Sequence, residues 1–384
     1  MTPRPISHGR VRRWLGRRTP TLVAALATLL VSFLFLISLA VPLAPRAGAQ
    51  GTGDPPISCA PAPTCPQQQQ PLSGDPVRDN IYYGAVPPGG GSGPVLVFVH
   101  GLGGLAQDWW GPAFYDADEG NNDMYVLAYS RGYRTAFVTL NANGERSPGN
   151  DFWVNGKTLA QQIAIIADRY GVDRVDVIAH SKGGIDIQAA IVGSSEFTGI
   201  AGRVRNVFTL STPHQGSELA EFAVSEKGQS LINNLNLPFN VDGALRSLTP
   251  DNMRGFRDQV DPIITSQRVR YFTAAGTDWG PQAGRGTGDT KVTGLLRISG
   301  PILQNQAGAN DGLVSVVSSK LTGLSCASVL FIQPNHHFNI LFGRYSFPWI
   351  HAAIQRTRGV TGCQSGTAAA PMAFLAPGSP LALW

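Results

Sequence analysis

The sequence predicts an α/β fold in which a mostly parallel sheet carries helices on both faces and a helical insertion sits beside one end of it. Three observations predict it. From Gly93 onward, β-branched and apolar runs alternate with segments of helical period, the pattern of strands joined by crossover helices and buried on both faces. Val177-Ile-Ala-His-Ser-Lys-Gly-Gly184 joins one such strand to one such helix through a turn bordered by small residues. From about 216 to 248 no strand pattern occurs, and Leu219, Phe222, Leu231, Leu235 and Phe239 are among apolar residues spaced for short amphipathic helices.

The chain has 384 residues, 43% of them hydrophobic, the composition of a core-forming protein. Its net charge of +5 comes from the first 50 residues. Seven arginines (Arg4, Arg10, Arg12, Arg13, Arg17, Arg18 and Arg46) lie there without any Asp or Glu, and without them the balance is −2. A nucleic-acid partner is therefore not expected. The arginines precede an uncharged apolar run from Thr21 to about Val41, then Pro42, Pro45 and Ala47-Gly-Ala49. This is the layout of a signal peptide with a small-x-small cleavage site. The run also approaches the length needed to cross a bilayer core of about 30 Å. Residues 1–49 are thus expected to be a signal peptide or a membrane anchor. The body is expected to be secreted, or anchored at its N-terminus and facing outside.

Residues 50–80 are rich in Pro, Gln and Gly and read as a linker. Four cysteines, Cys59, Cys65, Cys326 and Cys363, suit an oxidising compartment. Of the three connectivities available to four cysteines, proximity favours Cys59 with Cys65 and leaves Cys326 with Cys363. The catalytic domain is expected over 81–362, and 363–384 is a tail without chemical signal.

Within that domain Gly93-Pro-Val-Leu-Val-Phe-Val99 is the first core strand, ending in His100-Gly-Leu-Gly-Gly104. Asn122 to Ser130 reads as a helix, with Gly132 as its stop, and Thr135 to Leu140 as a strand. Lys157 to Tyr170 places Leu159, Ile163 and Ile166 on one helical face. It hands over to the strand Arg174 to Ala179. The helix from Gly184, the strand Val204 to Ser211, the insertion, and strands near Arg268 to Ala275 and Val329 to Ile332 follow in order.

The turn after Ala179 is where chemistry enters. A serine on a sharp strand-to-helix turn needs small residues two before and two after it, and Ala179 and Gly183 fill those places around Ser181. Its attack on a carbonyl creates an oxyanion, which fixed backbone N–H groups stabilise. The candidates are the N–H of Lys182, next to the nucleophile, and of Leu102, in the glycine-rich loop after the first core strand. Serine also needs a base, and the base a carboxylate. In the chain order Ser, Asp, His, Asp311 stands on a glycine-containing turn, with Asp186 and Asp289 as weaker rivals. The loop Gln333-Pro-Asn-His-His-Phe338 supplies the base. His337 is preferred over His336 because Phe338-Asn-Ile-Leu-Phe342 after it can anchor the loop to the last helix.

With these motifs, the chain resembles the bacterial true lipases of the α/β-hydrolase superfamily. The matching segments are Val99-His-Gly-Leu102, Ala179-His-Ser-Lys-Gly183, Ser211-Thr-Pro-His-Gln-Gly-Ser-Glu-Leu219, Ser247-Leu-Thr-Pro250 and Gly308-Ala-Asn-Asp-Gly-Leu-Val-Ser315. The resemblance implies an α/β-hydrolase fold with a lid at about 216–248, and hydrolysis of ester or lipid substrates, often at a lipid-water interface. It implies Ser181 as nucleophile, Asp311 as acid, a histidine of the 335–338 loop as base, and Leu102 and Lys182 as oxyanion donors. No cofactor is implied. Some members hold calcium through an Asp shortly after the base; here Phe338 and Asn339 stand in that place, so the resemblance leaves structural calcium and the metal assignment open. Two departures stand out: Ala179 replaces a usual glycine, and Lys182 brings a positive charge beside the oxyanion site. Similar turns occur in polyhydroxyalkanoate depolymerases. The expected function is an exported triacylglycerol lipase or carboxylesterase acting through an acyl-enzyme. The alternatives are a polyester depolymerase, an acyltransferase, or an inactive surface binding module on the same fold.

Overall fold

The computed structural model describes residues 59–360 apart from 61, 63, 113–119, 141–149, 227–228, 231–242, 268 and 280–290. The arginine-rich leader, Asp289, part of the insertion, Cys363 and the tail lie outside the described residues. Cys59 and Cys65 form a disulfide, and no described cysteine is a free thiol. Among the described residues no helix is long and apolar enough to cross a membrane.

Alternating sequence pattern becomes an eight-stranded sheet. Its strands are β1 (Gln67–Gln68), β2 (Ile81–Tyr83), β3 (Val95–Val99), β4 (Arg134–Val138), β5 (Val175–His180), β8 (Val204–Leu210), β9 (Arg270–Gly276) and β10 (Ala327–Gln333). A small separate ribbon, β6 (Gly193–Ser194) with β7 (Phe197–Thr198), lies between β5 and β8 in the chain. The spatial order is β1-β2-β4-β3-β5-β8-β9-β10. Every pair from β4 to β10 is parallel, and β1 and β2 form the antiparallel edge.

The helices are α1 (Pro76–Asp79), α2 (Met124–Ser130), α3 (Phe152–Tyr170), α4 (Gly183–Val192), α5 (Glu218–Val224), α6 (Gly243–Ser247), α7 (Pro250–Gln267), α8 (Lys291–Ala307) and α9 (Gly343–Thr357). They cover both faces because strand side chains alternate. Val95, Val97 and Val99 join Leu159, Ile163 and Ile166 of α3, with Phe256 of α7, in one buried cluster. Leu96 and Phe98 face the other way, toward Met124 of α2 and Ile350 of α9. Each such side chain contributes about 1.5–3 kcal/mol on burial, so the two-sided sheet supplies the rigid platform for the loops at its carboxyl end.

Two elements differ from the sequence reading. The helix expected from Lys157 begins five residues earlier, at Phe152, because the Asp151 side chain accepts the N–H groups of Trp153 and Val154 at 2.8 and 3.0 Å. The stretch read as a linker over 50–80 contributes structure from Gln67 onward. Gln67 and Gln68 pair with Tyr83 and Tyr82, and Asp75 caps α1 by accepting the Val77 N–H at 2.9 Å. Composition misses this because an edge strand needs only backbone groups, which glutamines supply as well as valines do.

Candidate active site

The site forms where β3, β5, β8, β9 and β10 end. Ser181 follows β5 directly and has φ 51, the left-handed region that a non-glycine residue rarely adopts. Such strain costs on the order of 1–3 kcal/mol and marks functional turns. It is held by the sheet: the Ser181 N–H donates to the Leu210 carbonyl at 2.9 Å, and the Ser181 carbonyl accepts the Gly184 N–H at 3.0 Å. Two neighbours must lack side chains. A Cβ on Gly183 would collide with the His100 carbonyl, and one on Gly101 would lie 2.8 Å from Ser181 Cβ. The loop containing Leu102 therefore lies against the serine. His100 fixes that loop, its Nδ1–H donating to the Gly101 carbonyl at 2.7 Å while Nε2 accepts the Leu140 N–H at 3.0 Å.

His337 and Asp311 are brought to Ser181 from loops more than a hundred residues away in the chain. Ser181 Oγ is 3.1 Å from His337 Nε2, and His337 Nδ1 is 2.9 Å from Asp311 Oδ2. Asp311 Oδ1 accepts the N–H groups of Leu313 and Val314 at 2.9 and 2.7 Å. Burial pushes the Asp311 carboxyl up, but His337 beside it, the Leu313 N–H and the Ser211 hydroxyl outweigh burial and hold it below its usual range. An ionised Asp311 can only accept, so the His337 proton sits on Nδ1 and Nε2 is free to take the serine proton. The backbone ties the two loops as well, the His337 N–H donating to the Asp311 carbonyl at 3.0 Å.

His336 is turned elsewhere. Its Nδ1 accepts the N–H groups of Phe338 and Asn339, both at 3.2 Å, so it caps the short turn that leads into α9. His180, the residue before the serine, donates from Nε2 to the His337 carbonyl at 2.8 Å. Burial drives His180 down to about 3, His336 to about 4 and His214 well below the usual imidazole range. These three histidines are neutral when folded, whereas an unfolded histidine takes a proton near pH 6.5. Their stabilising effect is complete above about pH 6.5 and is lost as pH falls toward about 4, each adding up to about 1.4 kcal/mol per pH unit. Asp176 and Asp186, raised by burial, offset part of it. The urea midpoint is therefore expected to fall between pH 7.5 and pH 5, and an equal midpoint at both would contradict this account.

Lys182 differs from its expected electrostatic role. Its side chain is buried rather than poised over the serine, with Nζ 2.6 Å from Asp186 Oδ1 one helical turn on. Asn155 of α3 donates to the other Asp186 oxygen at 3.0 Å. The charge is thus matched beneath α4, and Asp186, a rival acid in the sequence, is the partner of Lys182 instead. The Lys182 backbone N–H stands at the start of α4, next to Ser181, and Leu102 N–H stands in the loop packed on it.

Sequence reasoning missed Ser211, which is buried with φ 50 after β8, and the specific bond of His180 to His337. It also missed a small apolar cluster of Leu296, Leu313, Val314 and Phe338, with Leu219 of the insertion packed against it. That cluster adjoins both Asp311 and His337 in the chain. Among the described residues no group of three or more His, Cys, Asp or Glu is placed to hold a metal ion.

A PGAP1-like alpha/beta domain pattern matches residues 90–240, which include Leu102 and Ser181. The mature form of Bacillus licheniformis lipase BlEst2 is 31% identical, with 70% of this chain and 94% of that one covered and a TM-score of 0.54. The propeptide form of the same lipase is 30% identical over 71% of this chain and 53% of that one, with a TM-score of 0.57. Lipase 1 from Pelosinus fermentans, 17% identical over 71% of this chain and 100% of that one with a TM-score of 0.50, shares the fold. Comparison with curated protein sequences gives no match. The parallel sheet, its two helical layers and these likenesses define the α/β-hydrolase class. Within it, the chain belongs to the lipase/esterase family, an assignment carried by its likeness to BlEst2 over nearly the whole length of the mature lipase.

Proposed function

We propose that the chain is an exported serine hydrolase that cleaves carboxylic esters of apolar acids through an acyl-enzyme on Ser181. The observation that carries this reading is the continuous hydrogen-bonded relay from Asp311 through His337 to a serine held on a strained turn. In the first half of the reaction Ser181 Oγ attacks the ester carbonyl carbon while its proton moves to His337 Nε2. The resulting imidazolium is stabilised by Asp311. The Leu102 and Lys182 N–H groups stabilise the oxyanion. The C–O bond to the alcohol breaks, and His337 returns the proton to the departing oxygen. Water then attacks the acyl-enzyme by the same route and releases the acid.

An apolar acyl group is supported by Leu313, Val314 and Phe338 beside the acid and base, with Leu219 bringing the insertion against them. Export, with the leader either cleaved or kept as an anchor, is supported by the sequence before residue 50. The test is p-nitrophenyl ester hydrolysis by the body from Gln50 onward, across short and long acyl chains, beside Ser181→Ala. A fluorophosphonate labelling assay followed by mass spectrometry runs in parallel. Hydrolysis together with label on Ser181, both abolished in the variant, is expected. Hydrolysis surviving in Ser181→Ala would overturn the assignment, and absence of both hydrolysis and label would favour a binding module without turnover.

A further inference from the structure

Among the described residues two non-glycine residues have left-handed backbones, Ser181 and Ser211. They occupy the equivalent step of adjacent strands. Just as the Ser181 N–H donates to the carbonyl of Leu210, the last residue of β8, the Ser211 N–H donates to the Ala274 carbonyl of β9, and both bonds are 2.9 Å. A left-handed residue after a strand is most cheaply a glycine. The serine at 211 therefore calls for an explanation in its side chain, because nothing in the backbone geometry requires one.

That side chain is fully buried, and its hydroxyl is short of full hydrogen-bond geometry to any acceptor among the described residues. A buried hydroxyl without a partner is unfavourable, and a carboxylate stands at the end of the neighbouring strand: Ser211 is bonded to Ala274 of β9, and two residues on, a Cβ on Gly276 would lie 2.9 Å from Asp311 Cβ. The Asp311 carboxylate uses Oδ1 for two backbone N–H groups and Oδ2 for His337. A carboxylate has about four acceptor positions, so one is left over. The Ser211 hydroxyl counts among the groups that favour the ionised form of Asp311.

We propose that Ser211 is a positioning residue of the esterase, a fourth member of the relay whose hydroxyl donates to the Asp311 carboxylate and holds it turned toward His337. This rests on the reading of Ser181, His337 and Asp311 as the reacting set.

The experiment compares wild type, Ser211→Ala and Ser211→Gly in kcat, KM and the pH dependence of kcat/KM for a p-nitrophenyl ester, with Ser181→Ala as control. Removing the hydroxyl is expected to lower kcat about tenfold with KM within about twofold. The acid limb of the pH profile is expected to move to higher pH, because a carboxylate deprived of a donor holds the imidazolium more tightly. The glycine variant separates the two roles of the residue, since it relieves the backbone but supplies no hydroxyl. A merely structural serine would be rescued by glycine; the proposal expects glycine to be as slow as alanine. Wild-type kcat and pH profile in Ser211→Gly, with Ser181→Ala inactive, would overturn this inference while leaving the esterase reading intact. Activity remaining in Ser181→Ala would overturn both. Should alanine or glycine fail to fold, Ser211→Cys, a small side chain with a poor donor, is judged by the same kcat and pH criteria.

Discussion

Replacing His337 with alanine is expected to lower kcat for ester hydrolysis by between about 10⁴ and 10⁶, and Ser181→Ala by a similar factor, because the two act as one unit. Asp311→Asn should fall short of that, by about 10²- to 10⁴-fold, since an amide there can hold His337 in the wrong tautomer but leaves serine and imidazole in contact. The informative control is the neighbouring His336. Its Nδ1 accepts two backbone N–H groups, while the contact with Ser181 Oγ is made by His337. His336→Ala therefore leaves those donors unpaired and should cost about 1–3 kcal/mol of stability, with most of the activity of the folded protein retained. Steady-state kinetics with urea unfolding on both variants checks the pair. Equal losses of kcat in His336→Ala and His337→Ala would remove the basis for choosing between them.

Asp186→Ala is expected to destabilise the fold by about 3–5 kcal/mol, a large share of the 5–15 kcal/mol typical of a folded domain. The reason is that Lys182 would keep a charge beneath α4 with its partner gone, in a side chain that is 2% exposed. The opposite change is milder. Lys182→Met leaves Asp186, whose carboxyl burial already pushes up, free to take a proton and become neutral. Lys182→Met with Asp186→Leu should recover most of the loss. Urea unfolding of the two single variants and the double variant tests this asymmetry, and a loss below about 1 kcal/mol in Asp186→Ala would refute it.

What the sequence revealed and what it hid follow from one distinction. Ser181, the glycines around it and the loop at His100 are legible because a strained turn demands small residues at fixed local spacing. The strands of the sheet are legible because burial on both faces demands uninterrupted apolar runs. Asp311 and the histidine pair were found by chain order, but order leaves His336 and His337 equivalent; the difference between them is which way each ring turns. The side-chain course of Lys182 was hidden for the same reason. Position next to Ser181 suggested a charge facing substrate, whereas its i,i+4 partner Asp186 draws it inward. Ser211 was legible only as the first residue of a matching segment, with no role attached to it. Its N–H is tied to β9, and Asp311, the partner proposed for it, lies a hundred residues further on.

The parallel sheet has a consequence for when the candidate site is assembled. Ser181 sits in the middle of the sheet, whereas Asp311 and His337 belong to the chain around β10, whose one neighbour in the sheet is β9. Pairings of such long sequence separation form slowly, because loop closure must precede the contacts that reward it. On the proposed reading, such pairings would bring Asp311 and His337 to the serine late in folding, and a chain caught before β10 docks would present the Ser181 turn with neither residue beside it. Ester turnover, if the proposed function holds, would then report on completion of the fold.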